Sequence, residues 1–203
     1  KLKRIKIGQI IREEGPKSHF IKQGTPTMGG IFFIPIGIII SNILYFNKDD
    51  YIIILTLTFL IVFFMFIGFI DDFLSLKKQF NTGLRSNQKI ILQLFISSLF
   101  IIICALNNMI PNTIEINNKI IYIGNLIYPF GIFVLLAESN STNLTDGLDG
   151  LLSGCSALIF TGLAITIAIE NQSINDSLAP LCIVMAGTCM GFLFLNKYPA
   201  KLF

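Results

Sequence analysis

Charged side chains are scarce in this chain of 203 residues: Asp, Glu, Lys and Arg make up 13% of it, about half the roughly 25% usual in soluble domains. That shortage excludes an ordinary solvated surface. The formal net charge is only +3, too little to argue for nucleic acid as a partner. Histidine occurs once, at His19, and a lone loop histidine gains no catalytic role from sequence. The four cysteines, at 104, 155, 182 and 189, sit inside apolar stretches with neither disulfide nor zinc-ligand spacing, so they read as small apolar residues. No repeat of 20 to 50 residues and no shift of composition divides the chain, which reads as a single domain over 1–203. It begins on a basic polar segment that lacks the pattern of a signal peptide.

Apolar residues dominate instead. They make up 53% of the chain, with 19 Phe, and the mean hydropathy is +0.73. A bilayer crossing takes about 20 mostly apolar residues, and six stretches qualify by eye: 28–46, 51–70, 90–108, 120–138, 151–169 and 178–195. Lipid cannot satisfy an open backbone, and the ten-residue alternation of a membrane barrel is missing. The expected fold is therefore all-α, a polytopic transmembrane helix bundle of about six spans in contact with the lipid bilayer. The connections at 47–50, 109–119 and 170–177 carry no clustered chemistry and read as links only. All but Lys48 and Lys119 of the 15 basic residues fall on one side of this topology, and positive charge marks the cytoplasmic side. Asp71, Asp72, Asp146 and Asp149 fall on that same side. Of four N-x-[ST] matches, Asn140 and Asn143 lie there too, where glycosylation does not occur, and all four read as chance.

Two acidic constellations stand at this boundary. Asp71-Asp72 follows Phe66-Ile67-Gly68-Phe69-Ile70; it reads either as the polar end of a span or as a metal and phosphate site. Adjacent carboxylates on a helix point about 100° apart, so one can approach a metal while the other meets substrate. Mg²⁺ suits such a pair, because it is commonly held by one or two carboxylates together with substrate phosphates. The octapeptide Asn143-Leu144-Thr145-Asp146-Gly147-Leu148-Asp149-Gly150 reads either as an ordinary turn or as a ligand site. In the second reading Asp146 and Asp149 share a helical face, and Gly147 and Gly150 leave room for a ligand. Lys22, Arg85 and Lys89 are candidates for neutralising phosphate, or else anchors for headgroups. Charges in such places are usually functional.

The motifs Gly15-Pro16-Lys17-Ser18-His19-Phe20, Lys22 with Gly24-Thr25-Pro26-Thr27-Met28-Gly29-Gly30, Gly68 to Asp72, Thr82-Gly83-Leu84 with Lys89, the octapeptide, and Asn196 with Pro199-Ala200 run in one order along nearly the whole chain. In that order they resemble the bacterial phospho-N-acetylmuramoyl-pentapeptide transferases, a branch of the polyprenyl-phosphate N-acetylhexosamine-1-phosphate transferases. The resemblance implies Mg²⁺-dependent transfer of phospho-MurNAc-pentapeptide from UDP-MurNAc-pentapeptide to undecaprenyl phosphate, giving lipid I and UMP for peptidoglycan synthesis. It implies a multi-pass protein of the bacterial cytoplasmic (inner) membrane with its site facing the cytoplasm, and it allows a homodimer. Asp71 and Asp72 match the family's acidic pair near the acceptor phosphate, with Asp72 or its neighbour as base and Asp72 as a metal ligand. Lys89 matches an active-site lysine. Asn143, Asp146 and Asp149 match residues lining the nucleotide site, Asp146 being carried over as catalytic too. Lys22 lies close by, and Thr27, Gly147 and Leu148 lie inside matched motifs as substrate contacts. Asn196 matches a polar position of the site, and Phe203 a phenylalanine that stacks on uracil.

The resemblance also places the family's principal metal ligand, a glycine-aspartate motif, and a later three-histidine motif beyond Phe203, and a first membrane helix before Lys1. These 203 residues are then an internal piece, expected to be inactive alone. Ser141-Thr142 stand where the family more often has Ala-Val, which leaves the acidic pattern intact. A sister transferase using another UDP-sugar is the alternative within this chemistry. An ion-coupled transporter is the alternative outside it, but that reading expects acids near span centres. A purely structural membrane subunit leaves the acidic clusters without a purpose.

Overall fold

Among the described residues six α-helices form, in apolar stretches where the backbone has no polar partner but itself. The computed structural model of the chain describes residues 26–46, 51–78, 83–116, 119–170 and 178–202. In chain order the elements are α1 (Gly30–Tyr45), α2 (Tyr51–Lys78), α3 (Ser86–Leu106), β1 (Thr113–Ile116), β2 (Lys119–Tyr122), a 3₁₀ turn (Gly124–Leu126), α4 (Ile127–Thr145), α5 (Leu151–Glu170) and α6 (Leu178–Asn196). Four of them, α2, α3, α5 and α6, are long and apolar enough to cross a membrane; α1 is a shorter apolar helix.

Neighbouring helices pack in the order α4, α3, α2, α1, α6, α5, with α5 against α6 the most extensive interface and α4 touching α5 only slightly. Small residues let α1 approach its neighbours closely, as is usual between membrane helices. A Cβ on Gly37 would lie 2.7 Å from the Met185 sulfur of α6, and Phe33 stacks on Phe192 with centroids 4.6 Å apart. These pairings make α1 and α6 antiparallel. On the other flank of α1, Asn42 Nδ2 donates to Thr58 Oγ1 of α2 at 2.9 Å, and Tyr45, Ile54, Leu181 and Met185 form a buried cluster toward that end.

Three expectations need correction. The segment 120–138 is not one span: Lys119–Tyr122 pairs antiparallel with Thr113–Ile116, Ile114 opposite Ile121 and Glu115 opposite Ile120. The fold is thus helical with one small hairpin, and residues 113–116, read as part of a plain link, are a strand. Thr and Ile are β-branched and suit a strand as well as a lipid-facing helix. Second, α4 runs seven residues further than the span expected there, through Glu138 to Thr145, because its polar residues find partners on α3. Third, α2 does not stop at the acidic pair. At 28 residues it is about 42 Å long, and it carries Asp71 and Asp72 as helical residues, so their carboxylates do diverge.

Candidate active site

The end of α2, the start of α3, the end of α4, the start of α5 and the end of α6 meet on one face of the bundle, and two polar clusters there are joined through the octapeptide. The first is built on Lys89. Its ammonium donates to Asp71 Oδ2 at 3.1 Å and to Asn143 Oδ1 at 2.9 Å, so one lysine ties α2, α3 and α4 together. Asp71 Oδ1 accepts the Leu84 backbone N–H at 2.8 Å. The loop before α3 approaches closely enough that a Cβ on Gly83 would overlap the Asp71 carbonyl and carboxylate; only glycine fits. Arg85 caps α3, its N–H donating to Gln88 Oε1 at 3.1 Å, and this sets the first turn from which Lys89 projects. Both oxygens of Asp71 are engaged, whereas Asp72 is solvent-exposed.

The second cluster is built on Asn196, which is 1% exposed. Its Oδ1 accepts the Gly150 N–H at 3.0 Å and the Ser153 hydroxyl at 3.1 Å, and its Nδ2 donates to the Leu202 carbonyl at 3.1 Å. Asp149 Oδ2 accepts the Ala200 N–H at 3.0 Å. Together these bonds fasten the turn before α5 to the segment after α6. Gly150 has φ +76°, the left-handed region that glycine occupies without strain.

The sequence expectation that Asp146 and Asp149 share a helical face is therefore overturned. The last helical residue is Thr145, Asp146 is its C-cap, and residues 146–150 form turns. This part of the octapeptide thus adopts the turn conformation that was one of its two readings. Asp146, Gly147 and Leu148 are exposed there, as is Asn143. Thr27 precedes α1, its hydroxyl buried without a hydrogen-bond partner. Lys22, Phe203 and His19 lie outside the described residues. Sequence reasoning missed Gln93 and Ser153, and it did not see why Gly83 must be glycine. A glutamine four residues from Lys89 inside an apolar run was the available signal for the first.

Among the described residues no three His, Cys, Asp or Glu side chains come together as a metal site. With Asp71 engaged, Asp72 is the carboxylate of the pair open to a cation. Mg²⁺ is commonly held by one or two carboxylates together with substrate phosphates, and Asp72 fits as one such carboxylate.

The model of glycosyl transferase family 4 matches residues 53–203, and a phospho-N-acetylmuramoyl-pentapeptide-transferase signature matches residues 22–34. Over its whole length the chain is 80% identical to a Prochlorococcus marinus (strain NATL2A) protein named phospho-N-acetylmuramoyl-pentapeptide-transferase, covering 55% of that protein. It is 45% identical to proteins of the same name from a second Prochlorococcus marinus strain and from Synechococcus sp. (strain CC9605), covering 55% and 58% of them. The chain thus spans little more than half the length of these relatives.

Proposed function

The chain belongs to glycosyl transferase family 4, and we propose that the whole protein transfers phospho-MurNAc-pentapeptide from UDP-MurNAc-pentapeptide to undecaprenyl phosphate, releasing UMP and forming lipid I. The observation that carries this reading is Lys89, held between Asp71 and Asn143 on the bundle face that also bears Asp72, Asp146 and Asp149. The signature over residues 22–34 favours the muramoyl-pentapeptide donor over another UDP-sugar.

In the reaction an acceptor phosphate oxygen forms a bond to the sugar-bearing phosphorus of the donor, and the bond from that phosphorus to the UMP oxygen breaks. Two anions must meet, so neutralisation and positioning are the main catalytic terms. Lys89 supplies fixed positive charge. Its bond to Asn143 places that charge beside the octapeptide, where the nucleotide's phosphates would lie. Asp71 orients Lys89 and is itself held by the loop, while Asp72 serves as base toward the acceptor phosphate. Mg²⁺, which Asp72 would hold together with the substrate phosphates, supplies further positive charge when bound. Asp149 and Asn196 shape the nucleotide side by fixing the turn. The chain is a multi-pass membrane protein by its helices, and the site is proposed to face the cytoplasm of the bacterial inner membrane because, among the described residues, Lys77, Arg85, Lys89, Lys197 and Lys201 lie at the ends of helices on that side, with Lys119 on the other.

The test is a transfer assay on the full-length protein in lipid nanodiscs with undecaprenyl phosphate, Mg²⁺ and either UDP-MurNAc-pentapeptide or UDP-GlcNAc. Lipid I and equimolar UMP are expected from the first donor alone. Turnover of UDP-GlcNAc in preference assigns the sister activity, and turnover of neither removes the proposal.

A further inference from the structure

One turn further into the bundle from Lys89, α3 carries Gln93, whose side chain is fully buried in an otherwise apolar stretch. A buried amide is tolerated when its polar atoms are paired, and these are. Gln93 Nε2 donates to Ser139 Oγ of α4 at 2.9 Å, and Gln93 Oε1 accepts from Asn140 Nδ2 at 2.9 Å. The same Nδ2 donates to the Leu136 carbonyl at 2.8 Å. Residues 139 and 140 lie one turn of α4 before Asn143, the residue that receives Lys89.

We infer that Gln93 is a positioning residue for the transfer: by locking α3 to α4 one turn beneath the site, it fixes the register in which the Lys89 ammonium spans Asp71 and Asn143. This rests on the proposed reading of the site. The physical case is one of reach. Lys89 and Gln93 are four residues apart on α3, and Asn143 and Ser139 are four apart on α4, so the two cross-links are successive rungs of one ladder. Slippage of α4 along its axis would shift Asn143 relative to the Lys89 ammonium that it receives at 2.9 Å, and a misplacement of about 1 Å at a reacting site costs on the order of 10²-fold in rate. An apolar residue would fill the same space but leave the register free. The charged groups nearest the rung along their helices are Lys89, one turn away on α3, and Glu138, next to Ser139 on α4; Asp71 of α2 pairs with Lys89, and Asp72 lies beside both.

Two variants of the full-length enzyme test this. Gln93→Met keeps the volume and removes both bonds; kcat should fall about 10-fold or more while KM for both substrates stays within about 2-fold. In Gln93→Glu, the neutral acid reproduces both bonds, its hydroxyl donating to Ser139 and its carbonyl accepting from Asn140, while the ionised form places a negative charge one turn from Lys89. The ratio of its kcat per folded molecule to that of wild type should therefore be near 1 at low pH and fall as pH rises, whereas Gln93→Met, which fills the same space without the bonds, should show no recovery at low pH. A kcat within 2-fold of wild type for Gln93→Met, or a ratio flat in pH for Gln93→Glu, overturns the inference. If Gln93→Met does not fold, the pH ratio decides alone. Wild-type protein that makes no lipid product sinks the reading of the site and this inference with it; active wild type with a flat ratio sinks the inference only.

Discussion

The two corners of the candidate site use similar residues in opposite ways. At the α2, α3 and α4 corner, Asp71, Lys89 and Asn143 cross-link three helices and still present a charged ammonium and an exposed carboxylate, Asp72, at the open face. At the α5 and α6 corner, Asp149 and Asn196 direct their bonds inward, to the Ala200 and Gly150 N–H groups, the Ser153 hydroxyl and the Leu202 carbonyl. An aspartate and an asparagine occur in both. What differs is whether the bonding leaves charge available, and that separates groups suited to chemistry from groups suited to holding a shape. The contrast predicts that the first corner loses more turnover than stability, and the second the reverse.

The strongest challenge to that contrast is Asp72→Asn. Removing the one exposed carboxylate of the pair should lower lipid I formation by about 10³-fold or more, as expected for loss of a base that also holds a cation, while membrane insertion and thermal midpoint stay unchanged. Turnover near wild type would take Asp72 off the catalytic list and leave the first corner without a base. A smaller effect is expected for Lys89→Met, about 10²-fold in kcat, the scale on which single fixed electrostatic groups act. Its pair with Asp71 is only 16% and 24% exposed, so removing the ammonium also costs stability, but Asp71 keeps the Leu84 N–H and the thermal midpoint should fall less than in Asn196→Ala. A Lys89→Met protein that melted early but turned over normally would reverse the assignment of that corner.

The sequence made four helices plain, because α2, α3, α5 and α6 are apolar runs too long for anything but a crossing helix. It misplaced α4 for an equally physical reason. Ile120, Ile121 and Tyr122 are as apolar in a strand as in a helix, and periodicity cannot separate the two over so short a run. The polar residues from Ser139 to Asn143 fell outside the expected span because their partners, Gln93 and Lys89, lie about 50 residues away in sequence. The same distance hid the ladder between α3 and α4. The acidic pair and the octapeptide were visible as chemistry from residue type and density alone, but their division of labour was not. Nothing in the string Asp-Gly-Leu-Asp-Gly says that Asp149 faces the Ala200 N–H, or that Asn196 is buried beneath Gly150. Those facts depend on α6 returning antiparallel to α5.

The smallest expected effect on turnover, and the sharpest on folding, belongs to Asn196→Ala. The Gly150 N–H and the Leu202 carbonyl lose their partner at once, and the Ser153 hydroxyl keeps only a long bond to the Gly150 carbonyl at 3.4 Å. At a position 1% exposed no solvent replaces the amide, and leaving even one such group unsatisfied costs about 1–3 kcal/mol. The thermal midpoint of the full-length protein should fall by several degrees, with kcat per folded molecule within about 3-fold of wild type. Asn196→Asp separates the two functions of the amide, since a carboxylate still accepts from Gly150 and Ser153 but cannot donate to Leu202. Its midpoint should lie between those of wild type and Asn196→Ala. A large fall in kcat with an unchanged midpoint in either variant would mean that this corner touches substrate after all, and the contrast with the Lys89 corner would no longer hold.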